Sequence, residues 1–148
     1  MATAWPAVKA WLVAKIPTLP GLSDVVVYAG PPVTANNPPR YVTVGFVTDD
    51  HGGQYQKVQY DDGTVWQEIG EVRCQIVAQS GGTDPSIPEA SAIAIADALE
   101  AAIRADRRLG GTLSPEGTSE WATEVHSVTD QNGVATALVH SLRYTTVT

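Results

Sequence analysis

The sequence predicts an α+β domain: an antiparallel or mixed sheet of about five strands with two helices packed on one face, in the order αβββαββ. Three observations lead there. Two stretches repeat apolar residues at helical spacing, one near the start of the chain and one in its middle. Between and after them, apolar and polar residues alternate as they do in a half-buried strand. The last two strands flank Asn132-Gly133, the strongest short hairpin signal.

The first helix is expected over Ala4 to Ile16, with Thr3 as N-cap and Pro6 in the first turn, where a missing N–H costs little. Trp5, Val8, Leu12 and Ile16 form its apolar stripe, and Pro17 and Pro20-Gly21 stop it. "DVVVYA" (Asp24 to Ala29) reads as a strand, "GPPVTANNPP" as a loop, and "RYVTVGFV" (Arg40 to Val47) as a second strand. A third strand is expected from about Gln67 to Gln79. There Val72, Cys74, Ile76 and Ala78 alternate with Glu71, Arg73, Gln75 and Gln79, and Val77 breaks the pattern once. Asp62-Gly63 is a turn signal, so the tips of strands two and three are expected to extend as an arm.

Ser86 and Glu89 have capping-box spacing, with Pro88 in the first turn of the second helix. Ala92, Ile95, Ala96, Leu99, Ala102 and Ile103 make its core stripe, and Glu100 to Arg104 is the favourable i,i+4 order. In the final hairpin, Val134, Leu138, Leu142 and Tyr144 point one way. Ala135, Ala137, Val139, Ser141 and Arg143 point the other, and this weakly polar second face suggests a covered surface.

The 148 residues suit one domain with a real core, and the sequence shows no internal repeat or linker. Hydrophobic content is 43% and net charge −7, so the chain reads as folded and acidic. An acidic protein does not grip nucleic acid by its phosphates. Cys74 is the single cysteine, which excludes an internal disulfide. The start carries lysines inside its apolar part and is not a secretory signal, and no stretch is apolar enough to span a membrane. A soluble protein made in the cytoplasm is the expectation.

The sequence carries no phosphate-cradling loop, dinucleotide fingerprint or nucleophile elbow. His126 and His140, on the two strands of the last hairpin, could approach each other. A zinc site needs three or four ligands, so two polar strand residues at the surface is the stronger reading. Asp49, Asp50, Asp61 and Asp62 form the densest acidic group. They lack the regular spacing of a calcium loop and read as solvated. Cys74 reads as a buried structural thiol, and the four tryptophans as core or interface anchors. The expectation is therefore no enzyme, no catalytic residue, no metal and no cofactor.

"RADRRLGGTL" (Arg104 to Leu113) concentrates three of nine basic residues where the second helix is expected to end. Cations there favour the negative end of the helix dipole, and Gly110 or Gly111 can supply the left-handed closing residue. Those effects account for at least one arginine but do not require three; the surplus makes Arg104, Arg107 and Arg108 candidates for a contact with another chain. Asp49, Asp50, Asp61 and Asp62 are their acidic counterpart, and Val139 represents the weakly polar strand face.

As a set, "VYAGPPV", "PRYVTVGF", "GEVRCQIVAQSGGTD", "ADALEAAIRADRRLGGTL" and "NGVATALVHSLRYTTV" resemble the tail terminator (tail completion) proteins of long-tailed phages. The resemblance covers nearly the whole chain and rests on order and spacing. It implies a virion structural protein that forms a hexameric ring on the tail tube and stops tube polymerisation. It further implies a joint to the head–tail connector protein, with DNA passing through the hole unbound, and assembly in the host cytoplasm. A related head-closure ring protein, or a small ligand- or metal-binding α+β module, are the alternatives. An acidic ring suits a DNA channel, since a basic lumen would hold the phosphates.

Overall fold

A 16-residue strand pairs with a neighbour along both of its edges and organises the rest of the chain. The computed structural model describes residues 3–32, 38–60, 65–130 and 133–147, without side chains for 60, 124–130, 133 and 134. In chain order the elements are α1 (Trp5–Lys15), a 3₁₀ turn (Ile16–Thr18), β1 (Val26–Tyr28), β2 (Arg40–Val44), β3 (Gly53–Tyr60), β4 (Val65–Ser80), α2 (Ser86–Ala105), β5 (Thr118–Asp130) and β6 (Gly133–Val147). The fold is α+β, with two helices and a six-stranded mixed sheet. The strand order is β1-β2-β4-β6-β5, with β3 pairing β4 off that path; only β1–β2 is parallel.

The sixth strand, β3, is where sequence and structure part. β2 stops at Val44 rather than Val47, and the chain returns to the same edge of β4 at Gly53. Gly45 N–H donates to the Arg73 carbonyl and Arg73 N–H donates to the Gly52 carbonyl, so the edge of β4 stays paired across the changeover. Residues 46–51 leave this line as an excursion. A Cβ on Gly52 would lie 2.0 Å from the Gly45 carbonyl oxygen, so only glycine closes its base. β3 and β4 then run antiparallel as far as Tyr60 opposite Val65, which is the arm expected around Asp62-Gly63. Asp61 and Asp62 themselves lie outside the described residues.

Alternation along β4 decides the layers. Val72, Cys74, Ile76 and Ala78 are buried on one face with Leu138, Leu142 and Tyr144 of β6, and both helices cover that face. From α1 and its 3₁₀ turn come Val8, Leu12 and Ile16; from α2 come Ala92, Ile95, Ala96, Leu99 and Ile103. Ala102 is half-buried. The opposite face carries Ile69, Glu71, Arg73, Gln75 and Val77, and among the described residues no helix lies on it. Burial of the Cys74 thiol pushes it up to about 12, in keeping with a structural, un-ionised cysteine.

Neither expected helix cap forms. The N-cap of α1 is Ala4, not Thr3, and its cap comes from far away in sequence. Ala4 N–H donates to both carboxylate oxygens of buried Glu68 at 3.0 Å each. A carboxylate at a helix N-terminus also suits the dipole. Glu68 accepts the Tyr144 hydroxyl at 2.5 Å as well. Tyr144 sits opposite Gly70, where a Cβ would be 2.6–2.8 Å from the phenol, so the glycine leaves the space that the ring occupies. Burial, and then Glu68, push the phenol well above its usual range, which keeps it a neutral donor. At α2 the N-cap is Pro85, and Ser86 donates both its N–H and its hydroxyl to Asp84 instead of capping toward Glu89.

α2 ends at Ala105, so only Arg104 lies in its last turn. Arg107 and Arg108 fall in the turn beyond. Leu109 is itself left-handed (φ 54°), followed by Gly110 and Gly111 at 66° and 86°, and its side chain is fully buried in the core. The Glu100–Arg104 pair forms as expected, at 2.7 Å.

His140 is the other reversal: it is buried, not at the surface. It pairs with Cys74 on β4 and Thr123 on β5, stacks on Trp121 at 5.1 Å, and meets the Thr123 hydroxyl through Nδ1 at 3.0 Å. Among the described residues its Nε2 has no hydrogen-bond partner. The register sets His126 opposite Ala137, so the two histidines do not face each other across the strands.

Two outcomes follow from this packing. Gly70→Ala must displace the Tyr144 ring and loosen its bond to Glu68, so stability should fall by about 1–3 kcal/mol, read from the denaturant midpoint. An unchanged midpoint would show that the ring does not depend on that space. Burial lowers the His140 pKa to about 4, partly offset by Asp97. Its contribution to stability is complete above the unfolded value of about 6.5 and is lost as the pH falls toward 4, by about 3 kcal/mol in total. Urea titrations at pH 7 and 4.5 should show the loss, and His140→Phe should reduce it.

Candidate functional site

The helix-free face of the sheet is not flat. A trough of about 870 Å³ crosses four strands in the order β3, β4, β6, β5. Gln54 and Gln56 line it from β3, Ile69 and Glu71 from β4, Arg143 from β6 and Glu120 from β5. Strand alternation puts these side chains on one face because the register pairs Gln56 with Ile69, Glu71 with Arg143, and Arg143 with Glu120. Ile69 is 46% exposed and Val58 beside it 39%, an apolar strip that the helices cannot reach. Arg143 is 56% exposed, and the nearest Glu71 oxygen is 3.9 Å from its Nε, so most of its charge faces water.

Beside the trough, the excursion at 46–51 folds against the same face. Arg73 makes a 3.0 Å ion pair with Asp50 and donates to the His51 carbonyl, and Thr48 N–H donates to Gln75 Oε1. The bond from Arg73 holds the Asp50 carboxyl below its usual range. Asp49 next to it is left-handed (φ 61°), which the tight excursion requires. Val139, paired with Gln75, is only 8% exposed, although no helix covers it.

The three arginines are each engaged within the chain. Arg104 pairs with Glu100. Arg107 donates to the Ser119 carbonyl at 2.9 Å, and Ser119 Oγ donates back to the Arg107 carbonyl. Arg108 donates to the carbonyls of Leu113 and Ser114. Arg107 and Arg108 thus serve the connection from α2 to β5, whose turn carbonyls need donors, while all three arginines remain exposed at the surface. The arginines and the Asp49-Asp50 excursion are not brought together: the former stand by α2 and β5, the latter on the β2–β3 edge. Of the candidate contact residues named from the sequence, Arg107 lines the β5 end of the trough; the rest of it was not legible, since Ile69, Glu71 and Arg143 become neighbours only through strand register.

Among the described residues no group of three or more His, Cys, Asp or Glu side chains is placed to hold a metal ion. No helix among them is long and apolar enough to cross a membrane. Compared with known protein families and with curated proteins, the chain matches no family model and no individual sequence.

Arg107→Ala or Arg108→Ala should each cost about 1 kcal/mol through carbonyls left without their charged donor. Faster amide exchange across residues 106–119, with the sheet centre unchanged, is the expected signature. Unaltered exchange there would mean that the arginines do not hold the connection.

Proposed function

We propose that this chain is a virion structural protein of the tail-terminator kind. Copies form a ring, of six subunits if the family pattern holds, at the end of a phage tail tube. The ring stops tube polymerisation and joins the tail to the head connector, and DNA passes through its hole. The partners are other copies of the chain, the tail-tube protein and the connector protein.

The reading begins from the resemblance of the ordered sequence segments. The one structural observation that carries it is the helix-free sheet face with its charged, partly apolar trough. Both helices lie on the other face, and the 46–51 excursion covers only part of this one, so the trough stays open to a neighbour that could supply the cover. The trough mixes Glu71, Glu120 and Arg143 with Ile69, a composition that suits a protein contact with fixed register. The net charge of −7 suits a ring through which DNA slides without being held.

Electron microscopy of the purified protein mixed with growing tail tubes tests this directly. The expected result is rings with a central hole at one end of each tube, and tubes that stop lengthening. Protein that stays monomeric and leaves tube growth unchanged would overturn the proposal.

A further inference from the structure

α2 carries exposed apolar residues outside its core stripe. Its inner stripe fills the core, yet its outer face shows Ile87 at 58% exposure and Ile93 at 39%, with Ala90, Ala94 and Ala101 also exposed between them. At 100° per residue these side chains share an arc of roughly 120°, interrupted by Asp97 and Arg104. Exposed isoleucines on a helix whose core stripe is already buried leave apolar area that a partner can cover. The second unusual surface, the trough lined by Ile69 with exposed Val58 nearby, lies on the opposite side of the domain.

We infer that the outer face of α2 of one copy seats in the trough of the next copy. This rests on the ring reading and names its repeating contact. Three observations fit it. A helix is convex, and the trough is concave and spans four strands. Asp97, near the middle of the α2 arc, has its opposite in exposed Arg143 on an inner strand of the trough, and Arg107 adds a second positive charge at the β5 end of the trough; Arg104 is already paired with Glu100 of its own chain. The two patches also lie on opposite faces, so the contact is heterologous: each copy offers a helix to one neighbour and a trough to the other. Such a contact repeats until it closes into a ring or grows into a filament. A two-fold contact between two α2 faces would instead end at a dimer and leave both troughs open.

Thiol cross-linking separates these outcomes, because Cys74 is buried and gives little background. One variant carries Ala94→Cys on the outer face of α2, and another carries Ile69→Cys in the trough. With a bis-maleimide, the mixture should give cross-linked dimers that neither variant gives alone. A chain carrying both changes should give a ladder of multimers. If Ile69→Cys folds poorly, Gln56→Cys, its register partner on β3, replaces it. Cross-linking of Ala94→Cys with itself would overturn the inference in favour of a two-fold helix contact. Absence of cross-links in protein that light scattering shows to be oligomeric would overturn this contact and leave the ring reading standing. A wild-type protein that is monomeric alone and with tail tubes would overturn both.

Discussion

The buried carboxylate of Glu68 is the point on which the two layers depend. It stands on β4 and accepts the first free N–H of α1 and the hydroxyl of Tyr144 on β6. A buried charge without such donors would cost several kcal/mol, so the three groups stay together or the region loosens as a unit. Gly70 makes the arrangement possible by leaving room for the Tyr144 ring over β4. Trp5 adds a second tie by donating its indole N–H to the Glu71 carbonyl. The entry angle of α1, and hence the side of the sheet on which it lies, is set here rather than by a local cap.

With both helices committed to one face, the other face is left to its own side chains. Arg73, Gln75 and the 46–51 excursion close part of it through ion pairing and hydrogen bonds. The rest is the trough. The same commitment leaves Ile87 and Ile93 exposed on the outer face of α2. A two-layer domain with an open sheet on one side and an apolar helix on the other has its two unfinished surfaces pointing in opposite directions. A head-to-tail assembly finishes both with a single kind of contact.

How far the sequence could be read depended on the range of the interaction concerned. The alternation in β4, the α2 stripe, the Glu100–Arg104 pair and the hairpin around Asn132-Gly133 are local patterns, and the layered α+β fold follows from them. β3 was missed because Gln54, Gln56, Lys57 and Gln59 show no apolar face; an edge strand needs only one neighbour and can stay polar. Glu68 looked like one more polar strand residue, since its partners are 64 and 76 residues away. His140 looked like surface because nothing near it in sequence announces Trp121. The arginines at 107 and 108 looked surplus because the carbonyls of Leu113, Ser114 and Ser119 become needy only once the turn after α2 has formed.

The central claim is that this domain is a ring subunit whose two unfinished faces meet. Native mass spectrometry of the purified protein, across dilution and at moderate salt, tests that most directly. One discrete multimer that persists on dilution, without a ladder of intermediate sizes, is the result expected of a closed ring. An open series growing with concentration would contradict it, as would monomers at every concentration from a protein that also stays monomeric with tail tubes.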